Sequence, residues 1–164
     1  MRVALESKGA EEVIELPVGE WQAGATDEEV RVLSGVEPAA IDIGCGPGRI
    51  AHALAVRGVP AMGIAVSPSA LSHARRTGAS VIERSVVDPL PAEGRWGTAI
   101  LLDGNIGIGG DPVALLSRVS EVIATGGLVL AEVGAPGTET DVRQVRLRVH
   151  GEEPGPWFCW ARVS

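Results

Sequence analysis

Two short stretches of this chain carry most of its capacity for chemistry. The first, Asp42-Ile43-Gly44-Cys45-Gly46-Pro47-Gly48, sets an acid and three glycines between an apolar run and a helical one. Glycines there let the backbone turn tightly and approach a ligand, and the helix that follows presents free N–H groups. A dinucleotide loop needs G-x-G-x-x-G, whose third glycine allows close helix packing. Here the third glycine, Gly48, comes one position early and Arg49 stands in its place, which argues against that ligand. The second stretch, Asp103-Gly104-Asn105, opens a loop that continues through Gly107, Gly109 and Gly110. Asp103 suits a base or the partner of a ligand ammonium, Asn105 an orienting group, and an Asx turn holding the loop is the structural alternative for both.

The remaining candidates are weaker. His52, His73 and His150 read as helix-face, solvent-facing and strand-end residues. Arg143, Arg146 and Arg148 alternate with Val142, Val145, Leu147 and Val149 and read as a one-sided basic stripe on a half-buried strand. Trp157, Phe158 and Trp160 gather most of the aromatics into one hairpin, where they close the core, line a pocket or form an interface. Cys45 reads as a packing residue, and with Cys159 as the only other cysteine no thiolate metal cage can form.

The elements that must position these residues follow an α/β rhythm. Ala39–Cys45 reads as a strand, 49–57 as a helix, Ala61–Val66 as a strand and 67–78 as a helix opened by Ser67-Pro68. A third strand spans Ala79–Val87, and Asp88–Gly94 is too proline-rich for a helix. The fourth strand is Gly97–Asp103, the next helix runs from Asp111 to Ile123, and Gly126-Gly127 introduces a fifth strand, Leu128–Val133. Beyond Ala135-Pro136-Gly137 the pattern turns to an antiparallel hairpin, 142–149 and 157–163. The expected fold is therefore a Rossmann-like, doubly wound, mostly parallel sheet with a C-terminal antiparallel hairpin. Residues 1–38 read as an N-terminal lid segment with one short helix capped by Thr26 or Asp27, and residues 39–164 as the main domain.

Composition bounds the function. At 164 residues the chain holds one domain, and 45% hydrophobic with 21% charged residues excludes disorder for most of it. Tyr is absent and Phe158 is the single Phe, so aliphatic residues fill the core. A formal charge of −7, with Lys8 the only lysine, argues against a nucleic-acid partner. No apolar run approaches the roughly 18 residues of a membrane span, and Met1–Val13, with Glu6, Lys8, Glu11 and Glu12, has no signal core. A reduced, cytoplasmic setting is expected.

The D-x-G-x-G-x-G loop, with its GCGPG core, resembles motif I of the class I S-adenosylmethionine (SAM)-dependent methyltransferases, and the likeness extends over most of residues 16 to 163. Leu16-Pro17-Val18 with Trp21, the stretch from Leu102 to Pro112, Leu90-Pro91 and Thr125-Gly126-Gly127 resemble segments of small-molecule members in bacteria. The resemblance implies methyl transfer to a small-molecule acceptor, with SAM as cofactor and no metal. It implies a cofactor site of Asp42, Gly44, Cys45, Gly46, Gly48, Ala65, Val66, Val86 and Asp103, and Asp103 with Asn105 as the catalytic pair. In the family the loop holds the amino-acid end of SAM, and an acid ending the second strand accepts from both ribose hydroxyls. Ala65 stands at that acid's place, and losing a charge-assisted acceptor costs about 1.5 to 3 kcal/mol. The alternatives are that Ser67 or a water replaces it, or that the fold serves as a non-catalytic pocket protein or a non-methylating enzyme such as a cyclase. The family's sheet usually has seven strands, with a helix before the closing hairpin that residues 135–164 lack. Either a short link reaches that hairpin or the chain stops early and leaves a bare sheet edge, and the expected partner besides the small molecule is a second copy, in a homodimer through the C-terminal hairpin.

Overall fold

The computed structural model describes residues 2–10, 13–137 and 139–164; Met1, Glu11, Glu12 and Thr138 lie outside the described residues. The chain builds two sheets. Five parallel strands, β3 (Ala40–Ile43), β4 (Ala61–Ala65), β5 (Val81–Glu83), β6 (Trp96–Leu101) and β7 (Ile123–Ala131), form the larger one in the order β5-β4-β3-β6-β7. Helices α3 (Arg49–Val56), α4 (Pro68–Arg76) and α5 (Pro112–Val122) supply three of the four crossovers. Between β5 and β6 the chain crosses without a helix, as the proline-rich connection requires. Apolar strand residues pack against the helices: Ile41, Ile43, Ile64, Ala99 and Leu101 with Leu115, Val119 and Val122 on one side, Ala40 and Ile100 with Ile50 and Leu54 on the other. Ser67 and Asp111 cap α4 and α5 by accepting from the amides of Ala70 and Ala114, with proline at the first helical turn of each.

The second sheet was only half anticipated. The hairpin β8 (Asp141–Val149) and β9 (Phe158–Arg162) is present, but it does not extend the parallel sheet. It joins β1 (Val3–Ser7) and β2 (Val13–Glu15) in a four-stranded antiparallel sheet of order β2-β1-β8-β9. The stretch before residue 39, read as a lid segment with one short helix, thus holds two strands as well as α1 (Val18–Gln22) and α2 (Asp27–Val32). The register Ser7↔Val145 and Leu5↔Leu147 puts Leu5, Ser7, Val145 and Leu147 on one face. Arg143 shares that face by its spacing of two from Val145, so the one-sided arginine stripe is corrected: Arg146 and Arg148 lie on the opposite face with Val142, which is exposed. There Glu6 takes two hydrogen bonds from Arg146, at 2.8 and 3.1 Å, and an ion pair from Arg148 at 3.5 Å, while Arg146 also lies 4.5 Å from the Trp157 ring centre.

The two sheets are locked together through the glycine-rich loop after β6. Ile108 bridges to Trp160, the Gly134 amide donates to the Val163 carbonyl at 2.6 Å, and a Cβ at Gly107 would run into the Ala161 carbonyl. Gly107 is needed for this close approach of two backbones. No helix among the described residues is long and apolar enough to cross a membrane.

Candidate functional site

In the order β5-β4-β3-β6-β7 the direction of strand succession reverses between β3 and β6, and open α/β sheets bind ligands outside the carboxyl ends of strands at such a switch point. Both stretches singled out above meet there. Asp42, the penultimate residue of β3, lies in the core, 2% exposed, and its Oδ2 is a buried polar atom without a hydrogen-bond partner. Burial pushes its carboxyl up to about 7, with Arg49 pulling it down, Asp103 pushing it up and a backbone hydrogen bond from Ala51 lowering it.

Above Asp42 the loop is held in shape. The amides of Gly44 and Cys45 donate to the Ile64 carbonyl at 2.9 and 3.0 Å, and the Gly48 amide closes a turn onto the Cys45 carbonyl at 2.8 Å. Asn105 Nδ2 donates to the carbonyls of Ile43 and Gly44 at 3.0 and 3.1 Å. A Cβ at Gly44, whose φ is +79°, would fall 2.7 Å from that amide, so this position admits only glycine. At Gly46 a Cβ would meet nothing nearer than 4.0 Å, which leaves the crown of the loop open. Cys45 is buried, a Cβ on Gly63 would stand 2.6 Å from its sulfur, and burial first, then Asp42, drives its thiol upward; it is a packing residue.

Asp103 has left-handed backbone, φ +56°, a costly conformation held by its amide donating to Glu132 at 2.6 Å. Both its carboxylate oxygens accept from Arg49, at 2.7 and 3.1 Å, and Arg49 also reaches Glu29. Arg49 is 11% exposed at its side chain. Desolvation opposes its charge, and the carboxylates of Asp103 and Glu29 more than offset that, so its affinity for the proton rises. Glu29 completes a capping box on α2, with Oε2 accepting from the Thr26 amide at 2.8 Å. Desolvation raises its carboxyl, and Arg49 and Thr26 together hold it below its ordinary value. The Glu29–Arg49–Asp103 network therefore ties the N-terminal helix, the glycine-loop helix and the β6 loop into one unit. Sequence reasoning missed Arg49 and Glu29 as site residues. The available signal was a cation at the first position of a helix, where the dipole disfavours it unless carboxylates stand near.

The other expected cofactor residues are spread along the same edge. Ala65 ends β4, half-buried, one residue beyond Ile64, whose carbonyl takes the Gly44 amide. Val66 is 69% exposed, whereas Val86 points into the core with Leu90. Ser67 spends its hydroxyl oxygen as the α4 cap, accepting from Ala70 at 3.4 Å, rather than offering it at the strand end. Asp88 caps its own turn by accepting from the Ser85 amide at 3.1 Å. Arg118 holds this segment, donating to the carbonyls of Val86 and Asp88 at 3.0 and 2.9 Å. Among the described residues no cluster of three or more His, Cys, Asp or Glu is arranged to hold a metal ion.

Comparison with solved structures decides the fold. A SAM-dependent methyltransferase from Bacteroides fragilis in complex with S-adenosyl-L-homocysteine (SAH) superposes with a TM-score of 0.78 at 18% identity, over 99% of this chain and 74% of that one. This chain has a SAM-dependent methyltransferase fold. Two further methyltransferase structures superpose more loosely: the CcbJ enzyme of Streptomyces caelestis, with a TM-score of 0.57 at 14% identity over 91% of this chain and 79% of that one, and the glycopeptide N-methyltransferase MtfA complexed with SAM, with 0.58 at 18% over 87% and 67%. No family model and no curated protein matches the sequence. Within the methyltransferase fold, the Asp42–Gly48 loop and Asp103 occupy the carboxyl edge of the sheet on either side of its switch point.

Proposed function

We propose that this protein transfers a methyl group from SAM to a small-molecule acceptor. The observation that carries the reading is the Asp42 carboxyl, buried with an unpartnered oxygen at the foot of a glycine loop whose crown is open. An orphaned buried acceptor is costly in the free protein and is satisfied by a ligand donor. The donor set fits the amino-acid end of SAM: Asp42, Gly44, Cys45, Gly46 and Gly48 hold it, with Asp103 beside them. Ala65, Val66 and the Val86 segment flank the nucleoside end, where Ala65 supplies no charged acceptor.

Bound SAM supplies a methyl group on a positively charged sulfur, activated for direct displacement. The chain supplies position. Asn105 fixes the loop that aims the cofactor, and the Arg49–Asp103 pair sets rigid polar groups beside it, so alignment provides most of the acceleration. With both oxygens committed to Arg49, Asp103 acts as a positioning residue rather than a free base. The partner is a small molecule. A homodimer through the hairpin would have to use the outer edge of β9, which already bridges Ile108 at Trp160, because β8 is flanked by β1 and β9 of its own chain. A cytoplasmic setting accords with Cys45 and Cys159 as free thiols.

A second reading, a methyltransferase-fold protein that holds another ligand in this cleft, is favoured by Ala65 alone. Calorimetric titration with SAH separates the two. Saturable one-to-one binding supports methyl transfer, and absence of binding at millimolar SAH refutes it.

A further inference from the structure

The inner face of the second sheet overhangs the glycine loop, and between them lies a cavity of about 260 Å³. Its ceiling and walls are apolar: Leu5, Leu16, Trp21, Leu147, Phe158 and Trp160. Phe158 and Trp160 meet edge to face, with ring centres 6.3 Å apart and planes at 75°, which leaves flat ring surface turned to neighbours. Ile14, Leu5 and Leu147 form a row across β2, β1 and β8, yet Leu147, on the face turned to the loop, remains 38% exposed. Apolar surface left uncovered in a concavity marks a ligand site. On the opposite wall stand Gly44–Pro47, Asn105 and the Arg49–Asp103 pair, whose charges are turned on each other.

We infer that this cavity is the acceptor pocket and that it takes a neutral, planar aromatic molecule of one or two fused rings. The inference rests on the methyl-transfer reading for the word acceptor, though not for the pocket itself. Size supports it, since the volume is below the roughly 300–1,000 Å³ of sites for drug-sized ligands. Charge supports it too. Against the sheet wall a charged ligand would give up hydration and find no charged partner, because the Arg49–Asp103 pair stands on the opposite wall, beside the loop proposed to hold the amino-acid end of SAM. The walls are built on strands locked by the Ile108–Trp160 bridge, so the pocket stands ready before the ligand enters.

Indole is the probe, with tryptamine and indoleacetate as its cationic and anionic counterparts, each read by saturation-transfer NMR on the whole chain with and without SAH. Indole should bind at least tenfold more tightly than either charged compound. Leu147→Asp, which places a carboxylate on the sheet wall, and Leu147→Trp, which adds bulk there, should each weaken indole at least tenfold and weaken SAH at least threefold less than indole, because Leu147 lies across the cavity from the glycine loop. The second variant decides the matter if the first does not fold. Equal binding of tryptamine or indoleacetate, or indole binding unchanged in Leu147→Trp, overturns the inference. If SAH fails to bind while indole binding still depends on Leu147, the methyl-transfer reading falls and the aromatic pocket stands.

Discussion

Replacing Asp42 by Asn should abolish a stretch of pH dependence in the stability of this protein. Burial pushes the native carboxyl up to about 7 from the 3.8 of the free group. Between those values the unfolded chain has released the proton and the native chain still binds it, so stability falls as pH rises. Below pH 3.8 both states are protonated and the stability is fully present; above about 7 the loss is complete. The full difference of about 3 pKa units corresponds to about 4 kcal/mol. Other titrations run in the opposite sense and lie lower: Glu6, Glu29 and Glu93 sit below their ordinary value of 4.5, so what they contribute is lost only as pH falls below that point. Titrations shared by wild type and variant cancel in their difference, so between pH 4.5 and 7 that difference reports Asp42. Urea unfolding of wild type and Asp42→Asn, run in half-unit steps across that window, should show their stability difference moving by about 3 kcal/mol in favour of the variant as pH rises. A difference that stays constant within about 0.5 kcal/mol would refute the claim that this carboxyl is buried without compensation.

Two further substitutions test the surroundings. Arg49→Met strands Glu29 and Asp103; a fully buried pair would cost 3 to 5 kcal/mol, but these carboxylates are 19% and 30% exposed and can rehydrate, so the expected loss is about 2 to 3 kcal/mol. A thermal melt should read this as a fall of roughly 4 to 12 °C, and no fall would show that the network is ornamental to the fold. Ala65→Asp restores a charged acceptor at the end of β4 and should tighten SAH about ten- to hundredfold by calorimetry; unchanged affinity would show that the ribose is held elsewhere.

Local signals made the parallel sheet legible. Strand–glycine–helix alternation fixes β3, α3 and β4, and Ser67-Pro68 and Asp111-Pro112 open α4 and α5 as their capping chemistry demands. The strand read from Ala79 to Val87 shortens to Val81–Glu83 because Asp88 and Arg118 turn the rest into a held loop. The strand read from Leu128 begins at Ile123 and runs through Gly126, whose φ of +81° coincides with a register shift against β6. What stayed hidden depended on distant pairing. β1 alternates Val3, Leu5 and Ser7 inward with Ala4 and Glu6 outward, a pattern too short to stand out, and its partner β8 lies some 140 residues away. That same pairing decides which way Arg143 points, since a strand with valines and arginines on both sets of positions does not declare its buried face. In the site, the glycine loop was readable because few residue types allow its backbone, whereas the Glu29–Arg49–Asp103 network needed three elements brought together.

The central claim is that the loop from Asp42 to Gly48 holds the amino-acid end of SAM. Titrating isotope-labelled protein with SAH and following backbone amides by NMR tests it directly. The amides of Gly44, Gly46 and Ala65 should shift saturably and together, with those of the outer β8 face around Arg148 unmoved. Saturable shifts confined to other regions, or no shift in the loop at millimolar SAH, would contradict the account.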